Sequence, residues 1–179
     1  MGSPTGRMIF TSTRRGRREL KELLQSIFTA ELLFPSEELW LVSPWISNIP
    51  VIDDSSGRFR RLNGTGRGSL FLVDILTRLA SEGTRVRVVT RPGESEPFLS
   101  ALQSSKTSSR VGGGDGLVVL KRDTLHAKGL AGDGYCLWGS MNLTWSGTSR
   151  WEELVEFADG LRAAEIRREF RMEYMSDDS

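Results

Sequence analysis

The chain reads as one α/β domain with a mixed sheet flanked by helices, and three observations predict it. Strand-like apolar runs alternate with segments whose apolar residues recur at spacings of three and four. Two of the strand-like runs are separated by Gly132-Asp133-Gly134, a tight-hairpin signal that brings an antiparallel pair into the pattern. The chain's 179 residues, 38% of them hydrophobic and five of them tryptophan, suffice for a single sizeable core. Residues 1–6 are small and polar and read as a loose N-terminus, 7–175 as the domain, and 176–179 as a solvated tail.

Arg7 to Ser12 is a short β-rich run. Arg14 to Arg18 (RRGRR) is a basic cluster, either a solvated helix start or a phosphate-contacting patch. From Gly16 to Phe34 the residues Leu20, Leu23, Leu24, Ile27, Phe28 and Leu32 form an amphipathic helix stripe, and Pro35 ends it. Glu38 to Ser43 (ELWLVS) is a buried strand whose carboxyl end opens into Pro44-Trp45-Ile46-Ser47. In α/β folds that is where ligand-facing residues sit, so Ser43 and Trp45 are candidate substrate contacts; Trp45 reads equally well as a core aromatic. Residues 48–68 form a long Gly-, Ser- and Arg-rich loop. Its Arg58, Arg60, Arg61 and Arg67 suit either a substrate-contacting flap or a solvated linker.

Ser69 to Glu82 is a second amphipathic helix, stopped by Gly83. Thr84 to Thr90 alternates as a strand, Pro92-Gly93 turns the chain, and Glu94 to Lys106 is a third helix. Thr107 to Gly116 is a flexible connection by composition, and Leu117 to Lys121 a strand. Strands at Leu125–Ala131 and Tyr135–Ser140 flank the hairpin turn. A polar loop from Asn142 to Arg150, a strand from Trp151 to Phe157 and a helix from Gly160 to Met175 complete the chain.

Lys+Arg 24 against Asp+Glu 23 leaves a net charge of +1, so nucleic-acid binding would have to come from local basic patches. The single cysteine, Cys136, lies in an apolar run, reads as a small buried hydrophobe, and excludes an intrachain disulfide. The first residues lack the apolar stretch of a signal peptide, so no leader is expected, and no run of about 18 apolar residues occurs. The expectation is a cytoplasmic protein with no membrane partner.

Chemistry concentrates in Leu125 to Asn142. His126 is the only histidine, and Lys128 lies two positions on, on the same face of a strand. Two cationic side chains there repel when both are charged, which suits an anion above them. One histidine and one cysteine do not make a zinc site, so no metal and no cofactor are expected. No Gly-x-Ser-x-Gly elbow and no Gly-Lys-Ser/Thr loop occur. Neutral imidazole is a nucleophile toward phosphorus, Lys128 supplies a fixed positive charge, and Ser140 and Asn142 supply neutral donors. The plain alternative is a satisfied strand histidine beside a solvated lysine.

His126-x-Lys128 with Asp133 after four intervening residues, followed by Gly139-Ser140-x-Asn142, resembles the HxKxxxxD–GSxN signature of the phospholipase D superfamily. Leu143-Thr144 and Glu153 resemble its continuation, and Val42 to Ser47 resembles a segment common near such sites. Between Asp133 and Gly139 stand five residues where the family usually has six, so Asp133 reads either as a motif residue or as a turn residue. Trp151 stands where the family often has asparagine. The resemblance implies an α/β/α sandwich and a metal-independent phosphodiesterase with His126, Lys128, Ser140, Asn142 and Glu153 in the catalytic site. Glu153 would orient the histidine, with Glu152 and Glu156 as rivals. The family uses two histidines and this chain has one, so the resemblance also implies a homodimer with a shared site. The expected substrate is DNA, cut through a phosphohistidine. The alternatives are a non-catalytic DNA-binding or scaffold subunit and a phospholipid or other phosphodiester hydrolase. The size and the SPWIS and LHAKG segments further resemble a phospholipase D-like protein of bacterial gene clusters that place 7-deazaguanine bases in DNA and restrict unmodified DNA. That would make other restriction-cluster proteins possible partners.

Overall fold

The computed structural model describes residues 6–55, 57, 68–108, 116–149 and 153–175. Expectations for residues 1–5, 58–67, 109–115, 150–152 and 176–179, including substrate contacts by Arg58 and Arg60, lie outside the described residues.

Seven strands form one mixed sheet: β1 (Arg7–Phe10), β2 (Glu38–Val42), β5 (Arg85–Thr90), β6 (Leu117–Lys121), β7 (Gly129–Ala131), β8 (Tyr135–Gly139) and β9 (Leu154–Asp159). Their spatial order is β1-β9-β8-β7-β2-β5-β6. β2, β5 and β6 run parallel, whereas β7 is antiparallel to β2, and β8, β9 and β1 continue antiparallel. The mixed sheet follows from the sequence: helical crossovers permit parallel neighbours, and the two-residue turn at Asp133-Gly134 does not.

Helices cover both faces. Alternation along β2 decides which residues meet which layer. Leu39 and Leu41 join Leu20, Leu24, Phe28, Leu76 and Phe98 in the larger core, under α1 (Arg14–Leu33), α2 (Leu72–Ser81) and α3 (Glu96–Ser108). Trp40 and Val42 face the other way, into a smaller core with Cys136, Ala158, Ala163 and Tyr174, closed by α5 (Gly160–Met175). All five residues of β2 are buried, as a central strand covered on both faces requires.

Three expectations need correction. The loop at 48–68 carries β3 (Pro50–Asp53), paired antiparallel with β4 (Ser69–Phe71) in a separate two-stranded sheet. The second helix therefore starts at Leu72, not Ser69. Its start is fixed from both sides: Asn48, outside the helix, accepts from the Val73 N–H at 3.0 Å, and Asp74, in the first turn, accepts back from the Phe71 N–H at 3.0 Å. The polar loop after Asn142 contains a short helix, α4 (Trp145–Ser149).

Candidate active site

Strand direction determines what can meet. The carboxyl ends of β1, β2 and β8 lie along one edge of the sheet, together with the amino ends of the antiparallel β7 and β9. That edge collects Thr11 after β1, Ser43 after β2, His126 and Lys128 before β7, Ser140 and Asn142 after β8, and Glu153 before β9. Five of these seven, His126, Lys128, Ser140, Asn142 and Glu153, are the predicted catalytic group, and Ser43 is a predicted substrate contact.

The expected strand from Leu125 begins only at Gly129, so His126 and Lys128 lie in the extended approach to it. The Gly139 N–H still bonds the Lys128 carbonyl at 3.3 Å, which sets the two hairpin legs level at the site. Lys128 is half-buried. It lines a narrow cleft of about 20 Å³ with Ser43, Gly139, Met141 and Leu143, and its Nζ donates to the His126 carbonyl at 2.7 Å. The ammonium is thereby held back over the backbone of the histidine. His126 itself is exposed, and its imidazole has no hydrogen bond with the described residues.

Gly139 has φ 149°, and a Cβ there would stand 2.1 Å from the Leu154 carbonyl oxygen. Only glycine lets β8 come this close to β9. The close approach places Ser140 against the start of β9: its N–H donates to the Leu154 carbonyl at 2.9 Å, and its hydroxyl accepts from the Leu154 N–H at 3.0 Å. The hydroxyl donates to Glu153 Oε2 at 2.5 Å. Glu153 is fixed in turn by Thr11, whose Oγ1 accepts from the Glu153 N–H at 2.7 Å. The carboxylate thus meets Ser140, and no hydrogen bond or ion pair joins Glu153 to His126 among the described residues.

Asn142 is buried. Its Oδ1 accepts from the Ser43 hydroxyl at 3.4 Å, leaving the amide NH₂ as its donating end. Ser43 also donates to the Trp45 carbonyl at 2.8 Å and accepts from the Leu143 N–H at 3.3 Å. Trp45 is half-buried behind this junction. Sequence reasoning missed Thr11, which sits in an unremarkable Thr-Ser-Thr run and acquires its role only through β1–β9 pairing.

Asp133 is elsewhere. It occupies the hairpin turn, at the opposite edge of the sheet from His126. Its Oδ2 accepts from the Glu37 N–H at 2.6 Å, Oδ1 pairs with the Arg167 guanidinium, and its N–H donates to Ser36 Oγ at 2.9 Å. Asp133 clamps the hairpin to α5 and to the loop before β2. Cys136 is fully buried, and that burial raises its thiol pKa. No group of three or more His, Cys, Asp or Glu among the described residues is placed to hold a metal ion, and no described helix is long and apolar enough to cross a membrane.

Residues 69–174, more than half of the chain, match the family model described as the cardiolipin synthase, phospholipase D-like domain. The chain belongs to the phospholipase D-like family. Members of that superfamily are phosphodiester-acting enzymes. Among solved structures, the phospholipase D family member Nuc from Salmonella typhimurium is 12% identical, with 94% of this chain covering 93% of that one at a TM-score of 0.56. NucT from Helicobacter pylori is 11% identical, with 97% and 96% covered and a TM-score of 0.56. Polyphosphate kinase from Porphyromonas gingivalis is 14% identical at a TM-score of 0.58, with 94% of this chain matching 26% of that one. At these identities the phospholipase D-like fold is what is shared. No curated protein sequence matches the chain.

Proposed function

We propose that the protein is a metal-independent phosphodiesterase that cleaves nucleic acid, DNA first, through a phosphohistidine. The observation that carries this reading is the convergence of His126, Lys128, Ser140, Asn142 and Glu153 on one sheet edge. Neutral His126 attacks phosphorus and forms a P–N bond while the P–O bond to one alkoxide breaks. Lys128 and the Asn142 amide face the non-bridging oxygens as charge builds in the transition state. Ser140 is a positioning group, because its proton is engaged by Glu153, and the pair fixes the start of β9 beside the nucleophile.

The departing oxygen needs a proton and the phosphohistidine needs an activated water. His126 cannot supply either while it is bonded to phosphorus, and the sequence has no other histidine. A second copy of the chain supplies its own His126: it protonates the leaving oxygen, then takes a proton from the water that breaks the P–N bond. Phe10 and Leu154, cross-strand partners on β1 and β9 and both exposed at this edge, offer apolar surface for that meeting.

The decisive experiment is cleavage of plasmid and single-stranded DNA in EDTA by wild type and His126→Ala, with sedimentation of each. EDTA-resistant cutting that the substitution abolishes, by a dimer, is the expected result. Binding without cutting would instead make the protein a DNA-binding or scaffold subunit. The description of the family model favours a second reading, phosphatidyl chemistry, and hydrolysis of phosphatidyl substrates alone would establish it. A place in restriction linked to 7-deazaguanine modification rests on the SPWIS and LHAKG segments. Preferential cutting of DNA that lacks the modified base would support it.

A further inference from the structure

A groove of about 610 Å³ runs between the first half of α1, the β3–β4 pair and α4. One wall carries Arg14, Arg17, Arg18 and Lys21, and the other carries Trp145. Trp145 is 54% exposed, an unusual position for the largest apolar side chain. Two acids, Glu22 and Asp53, also line the groove. Glu22 is engaged by Arg18 at 2.7 Å, and the Asp53 carboxylate is held below its ordinary pKa by hydrogen bonds from Ser55. Arg14 and Lys21 have no ion-pair partner among the described residues. Arg17 is pinned by its guanidinium to the Thr11 carbonyl at 2.8 Å.

That pin connects the groove to the active edge, because the same Thr11 receives the N–H of Glu153. The other wall is connected as well: Trp145 opens the helix that begins three residues after Asn142, and Gly147 permits the fit, since a Cβ there would lie 2.1 Å from the Asn142 carbonyl oxygen. Both walls are therefore fixed to groups of the candidate site. A row of cations opposite an exposed indole matches a polynucleotide whose phosphates face one side and whose bases are unpaired on the other. Paired bases of a duplex present no free face to Trp145.

We infer that this groove holds the nucleotides flanking the scissile phosphodiester as a single strand, with a base stacked on Trp145 and phosphates on Arg14 and Lys21. The inference rests on the phosphodiesterase reading and is tested separately from it. Hydrolysis of bis(4-nitrophenyl) phosphate, too small to reach the groove, reports the site alone. Anisotropy of a labelled oligothymidylate across a salt series reports the groove. Wild type, Trp145→Ala and the double variant Arg14→Ala/Lys21→Ala should hydrolyse the small diester equally. Trp145→Ala should bind the oligonucleotide about tenfold more weakly, and should lose nothing further when the bases are replaced by abasic sites. The double variant should flatten the salt dependence of binding by a log–log slope of roughly 1.4. Wild-type binding by both variants would overturn the inference. So would loss of small-diester hydrolysis together with the oligomer in Trp145→Ala, since Trp145 would then be a contact between chains. If wild type fails to hydrolyse the small diester, the phosphodiesterase reading falls, and the binding arm still judges the groove.

Discussion

The two edges of the seven-stranded sheet are built from similar residues to opposite ends. At the edge of the hairpin turn, charge is consumed. Glu38 is buried, accepts from the Trp40 indole N–H at 2.9 Å and pairs with Arg171 at 2.6 Å, with Arg85 and Arg87 each 3.9 Å away. Glu31 accepts from the Ser36 N–H and hydroxyl, and Asp133 is held by Glu37, Ser36 and Arg167. At the carboxyl edge, His126 is left exposed, the Asn142 amide keeps its donors, and one carboxylate, Glu153, takes a single hydroxyl from the described residues. A carboxylate among cations is therefore no mark of a site here. The mark is polar groups held in place by the backbone but not neutralised.

That contrast can be broken from either side. The largest effect should come from His126→Ala. Cleavage in EDTA should fall on the order of 10⁵-fold, as removal of a nucleophile does, with an unchanged melting temperature because the imidazole bonds nothing described. Next, Glu38→Ala should leave Arg171 and the Trp40 N–H without their acceptor, and Arg87 without the carboxylate 3.9 Å away. A loss of about 3 kcal/mol in urea unfolding is expected, with normal cleavage per folded molecule. Glu153→Gln preserves size and an acceptor for Ser140 but removes the charge. Its rate should drop roughly 10- to 100-fold with little change in stability, and a stability loss without a rate loss would move Glu153 to the structural side. Asp133→Asn should cost about 1 kcal/mol and leave the rate alone; a slow but fully stable variant would return Asp133 to the site.

The smallest effect sharpens the structural edge by pH. The hydroxyl end of Tyr135 is buried although its ring is partly exposed, and that burial, then the nearby Glu31 carboxylate, pushes its pKa well above the ordinary 10.0. A raised folded pKa means that the neutral phenol stabilises the fold fully below about pH 10 and that the benefit is lost as pH rises beyond it. Unfolding free energy should therefore decline above pH 10 in wild type, and this component of the decline should be missing in Tyr135→Phe.

The strands with alternating or continuous apolar runs were legible in the sequence. Leu117 to Lys121 is β6 to the residue, and Arg85 to Thr90 differs from its expected strand by one position. The hidden elements were those whose partners lie far away in sequence. β3 offers only Val51 and Ile52 inside a polar stretch, and it becomes a strand because Ser69 to Phe71 pairs with it. Those three residues looked helical because Leu70 and Phe71 extend the apolar pattern of α2, whereas Asn48 and Asp74 fix its start at Leu72. Types and spacing marked His126, Lys128, Ser140 and Asn142. Which edge each occupies depends on strand direction, and that is why Asp133 could be separated from the rest only in three dimensions. Thr11 and Trp145 carried no local signal, because their significance lies in what folds beside them.

The hairpin also works as a length gauge. Asp133-Gly134 is the whole loop between the paired residues Gly132 and Tyr135, and from there the two legs run level to Lys128 and Gly139. The five residues between Asp133 and Gly139 are thus matched by the opposite leg. One residue added within either leg would slip the pairing and turn Ser140 or Lys128 to the other face of the sheet. A residue added at the turn would disturb only the clamp. A change in hairpin length is therefore absorbed without slipping the pairing only at the turn, the end away from the candidate site.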